Sequence, residues 1–365
     1  MRNLPHLVVS ISGHGFGHVA QVAPVLNAFY QLMPQLRITV RSAVLPSHLR
    51  SRIHAPFIHL PSEGDIGMAM SSALDVSVED SRAAYQNFHA DWDKRVKEEA
   101  RTLRELRADF VLSNVGYLPL AGARLAGIPN AALCSLNWAD IYRHYCGDDA
   151  IAAQIHDCYA NADAFLRAAP GMEMGHLANL IPIAPIAAIG TNRRGELNDR
   201  LNLASGEKLV LISMGGVVGG LPTQCWPRIG GARWLVQESW QASYQDAIVI
   251  ESLQMSFSDL LASSDTLICK PGYGSFVEAT CSGVSVLYVN RPDWPESIAL
   301  TEWLQQHNIC REISRSVFEQ GNIADELDEI WNTPRTQPVV PEGAGQAAAW
   351  LAKKMVNHQA GMQPK

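Results

Sequence analysis

A lysine, a glycine-rich turn and a glutamate stand together in the second half of the sequence. Residues 266–269 are a short apolar run, typical of a buried parallel strand, and Lys270 follows that run directly. The two glycines of the turn permit a ligand to approach the backbone, and we expect Ser275 to cap a helix with Glu278 on its first turn. Unpaired N–H groups at such a helix start, together with the Lys270 charge, predict an anion site. An ordinary strand-to-helix turn is the alternative.

Two histidines lie in a second glycine-rich loop, residues 13–18, which reads Gly-His-Gly-Phe-Gly-His. The loop follows an apolar run at residues 7–12, so it stands at the carboxyl end of a predicted strand. Imidazole titrates near neutral pH, and either histidine is therefore suited to take a proton from a hydroxyl group. We favour His18 as this base, with His14 as the alternative. A purely structural role in capping the following helix is the competing interpretation.

Further polar and glycine positions follow other predicted strands. Arg291, Asp293 and Glu296 come just after the apolar run at residues 284–289, where they are placed to reach the hydroxyl groups or phosphates of a ligand. Gly215 and Gly216 begin a bare loop that lets a ligand approach closely. Acidic residues of a surface loop and plain turn glycines are the respective alternatives.

The sequence predicts no metal site and no cofactor. Asp91 and Asp93 have the spacing of a metal-binding Asp-x-Asp motif, but they lie within a charged stretch, residues 81–107, that we predict to be one long solvated helix. Histidines and cysteines show no zinc-site spacing. Lys270 and the helix start beside it are the expected substitute for a metal ion.

Composition excludes several classes of protein. Of the 365 residues, 47% are hydrophobic and 18% charged, which is typical of folded chains with large cores. The net charge is −7 without a long basic run, which argues against nucleic acid as a partner. Seven scattered cysteines indicate reduced thiols and a cytoplasmic protein. No apolar run reaches the length of a transmembrane segment.

The order of predicted elements positions these residues on two sheets. Each half of the chain begins with a buried strand and a glycine-rich loop and continues with further strand–helix–strand units. The sequence therefore predicts an α/β protein with two Rossmann-like, doubly wound domains facing a cleft. We place the N-terminal domain at residues 1–185, the C-terminal domain at residues 186–335, and a linker with a final helix at residues 336–365.

The two glycine-rich loops resemble those of GT-B glycosyltransferases. Residues 270–278 are similar to the donor turn of the peptidoglycan N-acetylglucosaminyltransferase that forms lipid II. The Gly-His-Gly-Phe-Gly-His loop and the Gly-Tyr-Gly turn also resemble the glycosyltransferase-like region of plant L-arabinokinases. The likeness in layout covers nearly the whole chain, but the motifs match only at residues 13–18 and 270–278.

This resemblance implies roles for individual residues. Glu278, eight positions after the basic residue, would bind the ribose hydroxyls, and Ser275 would contact the diphosphate. Residues 250–253 would read the base edge through their backbone, and His18 would lie beside the acceptor. The implied donor-binding residues are Lys270, Gly272, Tyr273, Gly274, Ser275, Glu278, Gly215, Gly216 and Leu253. The predicted sugar-binding residues, taken from their position after a strand and not from the resemblance, are Arg291, Asp293 and Glu296, and the predicted catalytic residues are His18 and, as the alternative in the same loop, His14.

The expected activity is metal-independent, inverting transfer of a sugar from a nucleotide-diphosphate sugar, a UDP-sugar by resemblance, to an acceptor hydroxyl. Three departures from the peptidoglycan enzyme's pattern leave the donor sugar unassigned: a lysine replaces an arginine at position 270, the paired glutamines are absent, and the loop at residues 215–220 lacks Ser-Gln. A UDP-sugar epimerase of the same fold and a non-catalytic nucleotide-sugar-binding module are the alternatives. The acceptor is a small molecule, a glycan or a lipid-linked glycan.

Overall fold

The chain forms two compact α/β units. The computed structural model describes residues 4–14, 16–72, 74–215, 229–240 and 246–361. Unit 1 comprises Met1–Ser71, Asp75–Ile186 and Pro341–Lys365, and unit 2 comprises Ser72–Leu74 and Ala187–Val340. Each unit contains one parallel sheet, which confirms the predicted two-domain α/β fold. Within the described ranges, no helix combines the length and the apolar composition that crossing a membrane requires.

Unit 1 is built on a seven-stranded sheet of order β3-β2-β1-β4-β5-β6-β7. Its strands are β1 (His6–Ile11), β2 (Arg37–Arg41), β3 (Ile58–Leu60), β4 (Phe110–Asn114), β5 (Asn130–Cys134), β6 (Ala164–Ala168) and β7 (Leu180–Ile183). Strand β1 pairs in parallel with β2 on one side and with β4 on the other. The strand order therefore reverses between β1 and β4, and ligands bind at the carboxyl ends of strands at such a switch point.

Helices connect the strands of unit 1. They are α1 (Phe16–Leu32), α2 (Pro46–Arg52), α3 (Val78–Ala90), α4 (Trp92–Glu105), α5 (Tyr117–Ala126), α6 (Trp138–Cys146), α7 (Ala150–Ala160) and the C-terminal α14 (Gly343–Gly361). Helix α14 packs on α1, and the Gly343 amide donates to the Pro185 carbonyl over 3.0 Å. The chain thus returns to unit 1 after completing unit 2.

Unit 2 contains a six-stranded parallel sheet of order β10-β9-β8-β11-β12-β13. Its strands are β8 (Lys208–Ser213), β9 (Ala232–Val236), β10 (Ala247–Val249), β11 (Thr266–Cys269), β12 (Ser285–Val289) and β13 (Cys310–Ile313). Its helices are α8 (Arg194–Leu201), α9 (Phe257–Ala262), α10 (Tyr273–Ser282), α11 (Pro295–His307), α12 (Arg315–Gln320) and α13 (Ala324–Asn332). The switch point lies between β8 and β11, which pair in parallel.

Both sheets are buried because their central strands carry continuous apolar runs. All residues of β1, β4, β5, β11 and β12 are buried. In unit 2 the core joins the β8, β9, β11 and β12 side chains to apolar residues of α12 and α13. Burial of this kind stabilises by about 25 cal/mol per Å² of apolar surface, so the strands form a rigid base for the loops at their ends.

Two predicted elements differ from the observed ones, and one observed helix was not predicted. The predicted long helix at residues 81–107 is two helices, because the chain breaks at Asp91 and each half packs on different helices: α3 on α6 and α7, α4 on α5. The predicted helix start at Ser275 is wrong, since α10 begins at Tyr273 with Gly272 as its N-cap. Residues 194–201, which show no clear period, form helix α8.

Candidate functional site

In unit 2, the loops that follow β8 and β11 meet at the switch point. Ser213 and Cys269, the last residues of the two strands, are in register. Gly215 has a φ of +82°, and a Cβ built on it would lie 3.3 Å from Cε and 3.7 Å from Nζ of Lys270. The lysine side chain therefore lies against a backbone that only glycine adopts without strain. Gly216 lies outside the described residues.

The start of helix α10 faces the same strand ends. Gly272, the N-cap, is extended and has no side chain that could cap the helix. The amide of Phe276 donates to the Gly272 carbonyl over 3.0 Å. Amides of a first helical turn have no acceptor within the helix, so this uncapped turn has the chemistry of an anion site. The Tyr273 side chain is buried, and Ser275 is the third residue of the helix rather than its cap.

Glu278 lies on the second turn of α10, and its predicted place on the first turn is wrong because the helix begins three residues earlier than expected. It is 1% exposed. Residues four apart share a helix face, so Glu278 lies on the same face as Gly274, and helical side chains lean toward the N-terminus.

Two cations stand close together in unit 2. Burial, with a smaller contribution from the neighbouring Arg291, lowers the pKa of Lys270 to about 8. Arg291 is itself buried; its Nε donates to the Leu74 carbonyl over 2.8 Å, and its guanidinium lies 4.3 Å from the Trp294 ring centroid. These contacts fix the guanidinium in place. Lys270 and Arg291 together give this sheet edge a positive field suited to a diphosphate.

The remaining predicted residues of unit 2 occupy different environments. Glu296 is buried on the first turn of α11 and accepts a hydrogen bond from Trp294 Nε1 over 3.3 Å. Asp293 is exposed. Leu253 ends a short 3₁₀ helix, Ile250–Leu253, and its carbonyl accepts from Arg200 Nη1 over 2.9 Å. Arg291 and Glu296 thus both contact Trp294, whereas the Leu253 carbonyl is engaged by an arginine of its own unit.

In unit 1, His18 is fixed by a chain of side-chain hydrogen bonds. Its Nδ1 lies 2.7 Å from Asn114 Oδ1, Asn114 Nδ2 donates to Gln21 Oε1 over 3.0 Å, and Gln21 Nε2 donates to Ser135 Oγ over 2.7 Å. Since the Asn114 amide nitrogen faces Gln21, its oxygen faces the histidine, and Nδ1 must carry the proton. Across the described part of the chain, Nε2 of His18 has no hydrogen-bond partner. This tautomer leaves a lone pair on Nε2.

Burial favours the neutral form of the His18 imidazole. It is 7% exposed, and burial lowers the pKa of its imidazole below the ordinary value. The Asp65 charge and the hydrogen bond to Asn114 act in the opposite direction, and His14 adds to the lowering. A neutral imidazole is the form that accepts a proton, and the lowered pKa favours that form.

His14 is more exposed than His18, and the rings of both histidines lie near the ring of Trp138. The rings of His14 and His18 lie 5.8 and 6.0 Å from the Trp138 ring, centroid to centroid. A Cβ on Gly67, whose φ is +62°, would lie 2.3 Å from the His14 ring, so only glycine fits there. The structure brings the two predicted catalytic histidines together and leaves His14 exposed.

Asp65 accepts hydrogen bonds from two residues near the histidines, and it was not among the predicted site residues. Its two carboxylate oxygens accept from Ser12 Oγ over 3.0 Å and from Trp138 Nε1 over 2.6 Å. Asp65 lies in the long loop between β3 and α3, and the length of that loop is the signal that could have found it, since long loops in compact domains are often functional. Asn114, the last residue of β4, was missed because nothing in its spacing relates it to His18.

Metal ligands are not grouped anywhere in the described ranges: no set of three or more histidine, cysteine, aspartate or glutamate side chains is arranged to hold a metal ion. Asp91 and Asp93 are exposed. Asp91 joins α3 to α4 instead of lying within one helix, and Asp93 follows in the first turn of α4.

Comparison with known proteins gives one relative at the level of sequence. No family model matches the chain. The chain is 24% identical over 328 residues to the L-arabinokinase of Arabidopsis thaliana, with 87% of this chain and 31% of that protein aligned. This chain therefore spans less than a third of the length of that relative. The likeness reaches well beyond the two glycine-rich loops.

Solved structures define the fold class as that of GT-B glycosyltransferases. The glycotransferase of kitacinnamycin gives a TM-score of 0.60 at 15% identity, covering 98% of this chain and 96% of that one. A UDP-glucose:anthocyanidin 3-O-glucosyltransferase in complex with UDP gives 0.59 at 13%, with 100% and 96% covered. MurG of Acinetobacter baumannii gives 0.50 at 14%, with 98% and 99% covered. A Listeria monocytogenes protein assigned as a UDP-N-acetylglucosamine 2-epimerase gives 0.56 at 13%, with 99% and 98% covered. The predicted GT-B fold is confirmed.

Proposed function

We propose that this protein transfers a sugar from a nucleotide-diphosphate sugar to an acceptor hydroxyl, with His18 as the general base. The observation that carries the proposal is the fixed tautomer of His18: Asn114 holds Nδ1, and Nε2 has no hydrogen-bond partner within the described ranges. The histidine stands at the switch point of unit 1, where ligands bind in such sheets. Its lone pair is free to take the proton of a hydroxyl group.

The donor occupies unit 2 in this proposal. Lys270, Arg291 and the uncapped first turn of α10 hold the diphosphate, and Gly215 lets it approach the backbone. Glu278 accepts hydrogen bonds from the ribose hydroxyls. A uridine nucleotide is supported by two proteins of similar fold whose names include UDP.

The proposed reaction is a single displacement that inverts the anomeric carbon. Nε2 of His18 takes the acceptor proton as the acceptor oxygen attacks, and the bond from the anomeric carbon to the diphosphate breaks. The leaving diphosphate gains negative charge, which the fixed cations Lys270 and Arg291 stabilise in place of a metal ion. General-base catalysis of this kind contributes about 10²–10⁴-fold to the rate.

Substitution of the two histidines tests the base. His18→Ala should lower kcat by roughly 10²–10⁴-fold while leaving UDP affinity unchanged. His14→Ala is the matched control from the same loop and should retain most of the turnover. The reverse pattern would assign the base to His14. Full turnover in both variants would show that the loop is structural and that the base lies elsewhere.

A second candidate function is epimerisation of a UDP-sugar. The fold likeness to the Listeria monocytogenes protein and the buried carboxylate of Glu296, which like Arg291 contacts Trp294, favour it, because elimination and re-addition need an acid–base group near the sugar. Incubation with donor alone separates the two functions. An epimerase converts the donor sugar without acceptor, whereas a transferase does not. Donor binding without either reaction would indicate a non-catalytic nucleotide-sugar-binding module.

A further inference from the structure

An open hollow of about 760 Å³ lies in unit 1 around the break between α3 and α4. Its floor includes the Trp92 and His89 rings, which are stacked at 5.0 Å between centroids with planes 10° apart. The rest of its lining is polar or charged apart from one alanine: Ala90, Asp91, Asp93, Lys94, Lys97, Glu98, Arg101 and Gln154. None of these residues belongs to the histidine site described above.

The aromatic floor is held rigidly. His89, Trp92 and Tyr117 contact one another in a cluster, since Tyr117 lies 5.6 Å from His89 and 5.7 Å from Trp92, centroid to centroid. Both imidazole nitrogens are engaged: Nε2 lies 3.0 Å from the Tyr117 hydroxyl and Nδ1 lies 2.5 Å from Gln154 Oε1. A helix surface that only faces solvent does not need its aromatic rings fixed in this way. A surface that binds a ligand gains affinity when its side chains are already ordered.

The lining indicates the chemistry of the ligand. Three acidic side chains and three basic ones face the hollow, so it favours neither anions nor cations. No aliphatic side chain larger than alanine lines it, which disfavours an apolar ligand. A sugar ring fits these features, because its C–H face packs on an indole while its hydroxyls donate to carboxylates and accept from ammonium groups.

The hollow also stands close to the histidine site along the chain. Tyr117, whose ring lies beside that of His89, comes three residues after Asn114, which is hydrogen-bonded to His18. Three residues span at most about 11 Å. The hollow and the histidine site therefore both belong to the region of unit 1 around the end of β4.

We propose that this hollow is a saccharide-binding subsite in which one ring of an oligosaccharide acceptor stacks on Trp92. The identification of the ligand as acceptor rests on the proposed function, but the binding of a saccharide does not. Asp91 and Asp93 are the hydrogen-bond acceptors for its hydroxyls, and Lys94 and Lys97 are donors.

Binding of neutral trisaccharides to the full chain without donor tests the proposal. Saturation-transfer NMR with cellotriose, xylotriose, maltotriose and chitotriose should show binding of at least one of them. Trp92→Ala should weaken that binding by roughly tenfold or more, and Trp92→Phe, which keeps a stacking ring, should largely retain it. Trp303→Ala is the matched control, because Trp303 is also half-buried and packs on a histidine, His307, at 5.1 Å. It should bind as the wild type does.

Failure of this inference is distinguishable from failure of the proposed function. Absence of binding by all four saccharides, or equal binding by wild type and a folded Trp92→Ala variant, would overturn the subsite. If no donor is turned over but Trp92-dependent binding is found, the subsite stands and the transferase proposal falls.

Discussion

Replacing Asn114 by aspartate tests the proposed base through its pH dependence. Asn114 Oδ1 lies 2.7 Å from Nδ1 of His18, in a buried environment that lowers the pKa of the imidazole. Asn114→Asp keeps the size and the accepting oxygen of the side chain but adds a negative charge. That charge stabilises the imidazolium, so the pKa of His18 must rise.

The expected size of the effect follows from this geometry. An opposite charge at hydrogen-bonding distance shifts a pKa by about 1–3 units, which is about 1.4–4 kcal/mol. A base works when it is unprotonated, so kcat/KM falls on the acid side of its pKa. The acid limb of the profile should therefore move to higher pH by about 1–3 units. Below both limbs the variant should be about 10–10³-fold slower, and well above them the two proteins should converge.

The assay is the pH profile of kcat/KM, with the imidazole C–H signal of His18 followed by NMR titration. Asn114→Leu is the control, since it removes the accepting oxygen without adding charge. It should lower kcat/KM at every pH and leave the limb where it is or move it to lower pH. Acid limbs that coincide in wild type and a folded Asn114→Asp variant would refute the assignment of His18 as the base.

Three further predictions concern the donor side. Glu278→Ala should weaken UDP binding by about 1.5–3 kcal/mol, the value of charged hydrogen bonds, and calorimetry with unchanged affinity would remove Glu278 from the site. Because the pKa of Lys270 is lowered to about 8, the ammonium is present below that pH and is lost above it. UDP affinity should therefore fall as pH rises through about 8, but not in Lys270→Arg, whose guanidinium stays charged. Turnover should survive EDTA; loss of activity that Mg²⁺ or Mn²⁺ restores would contradict the metal-free mechanism and make Asp293 and Glu296 candidate ligands.

The candidate site was only partly predictable from sequence. Lys270 and Gly215 were both identified from glycine-rich loops after apolar runs, and the structure places the lysine side chain against that glycine. The predicted start of α10 is three residues too late because glycine and tyrosine are weak helix formers, yet the tertiary structure holds Tyr273 buried at the first helical position. Glu278 consequently lies one turn deeper than expected.

What the sequence by itself determined is local. Continuous apolar runs predict buried parallel strands, and the glycine-rich loops that follow two of them mark the strand ends where ligands bind, because both signals come from neighbouring residues. Contacts between distant residues were decided only by the tertiary structure. His18 and Asn114 are 96 positions apart, and Trp138 and Asp65 are 73 apart. Helix α14 returns to unit 1 from the far end of the chain. No spacing in the sequence encodes such pairs, since they exist only once strand order brings the ends of β1, β4 and β5 to one edge of a sheet.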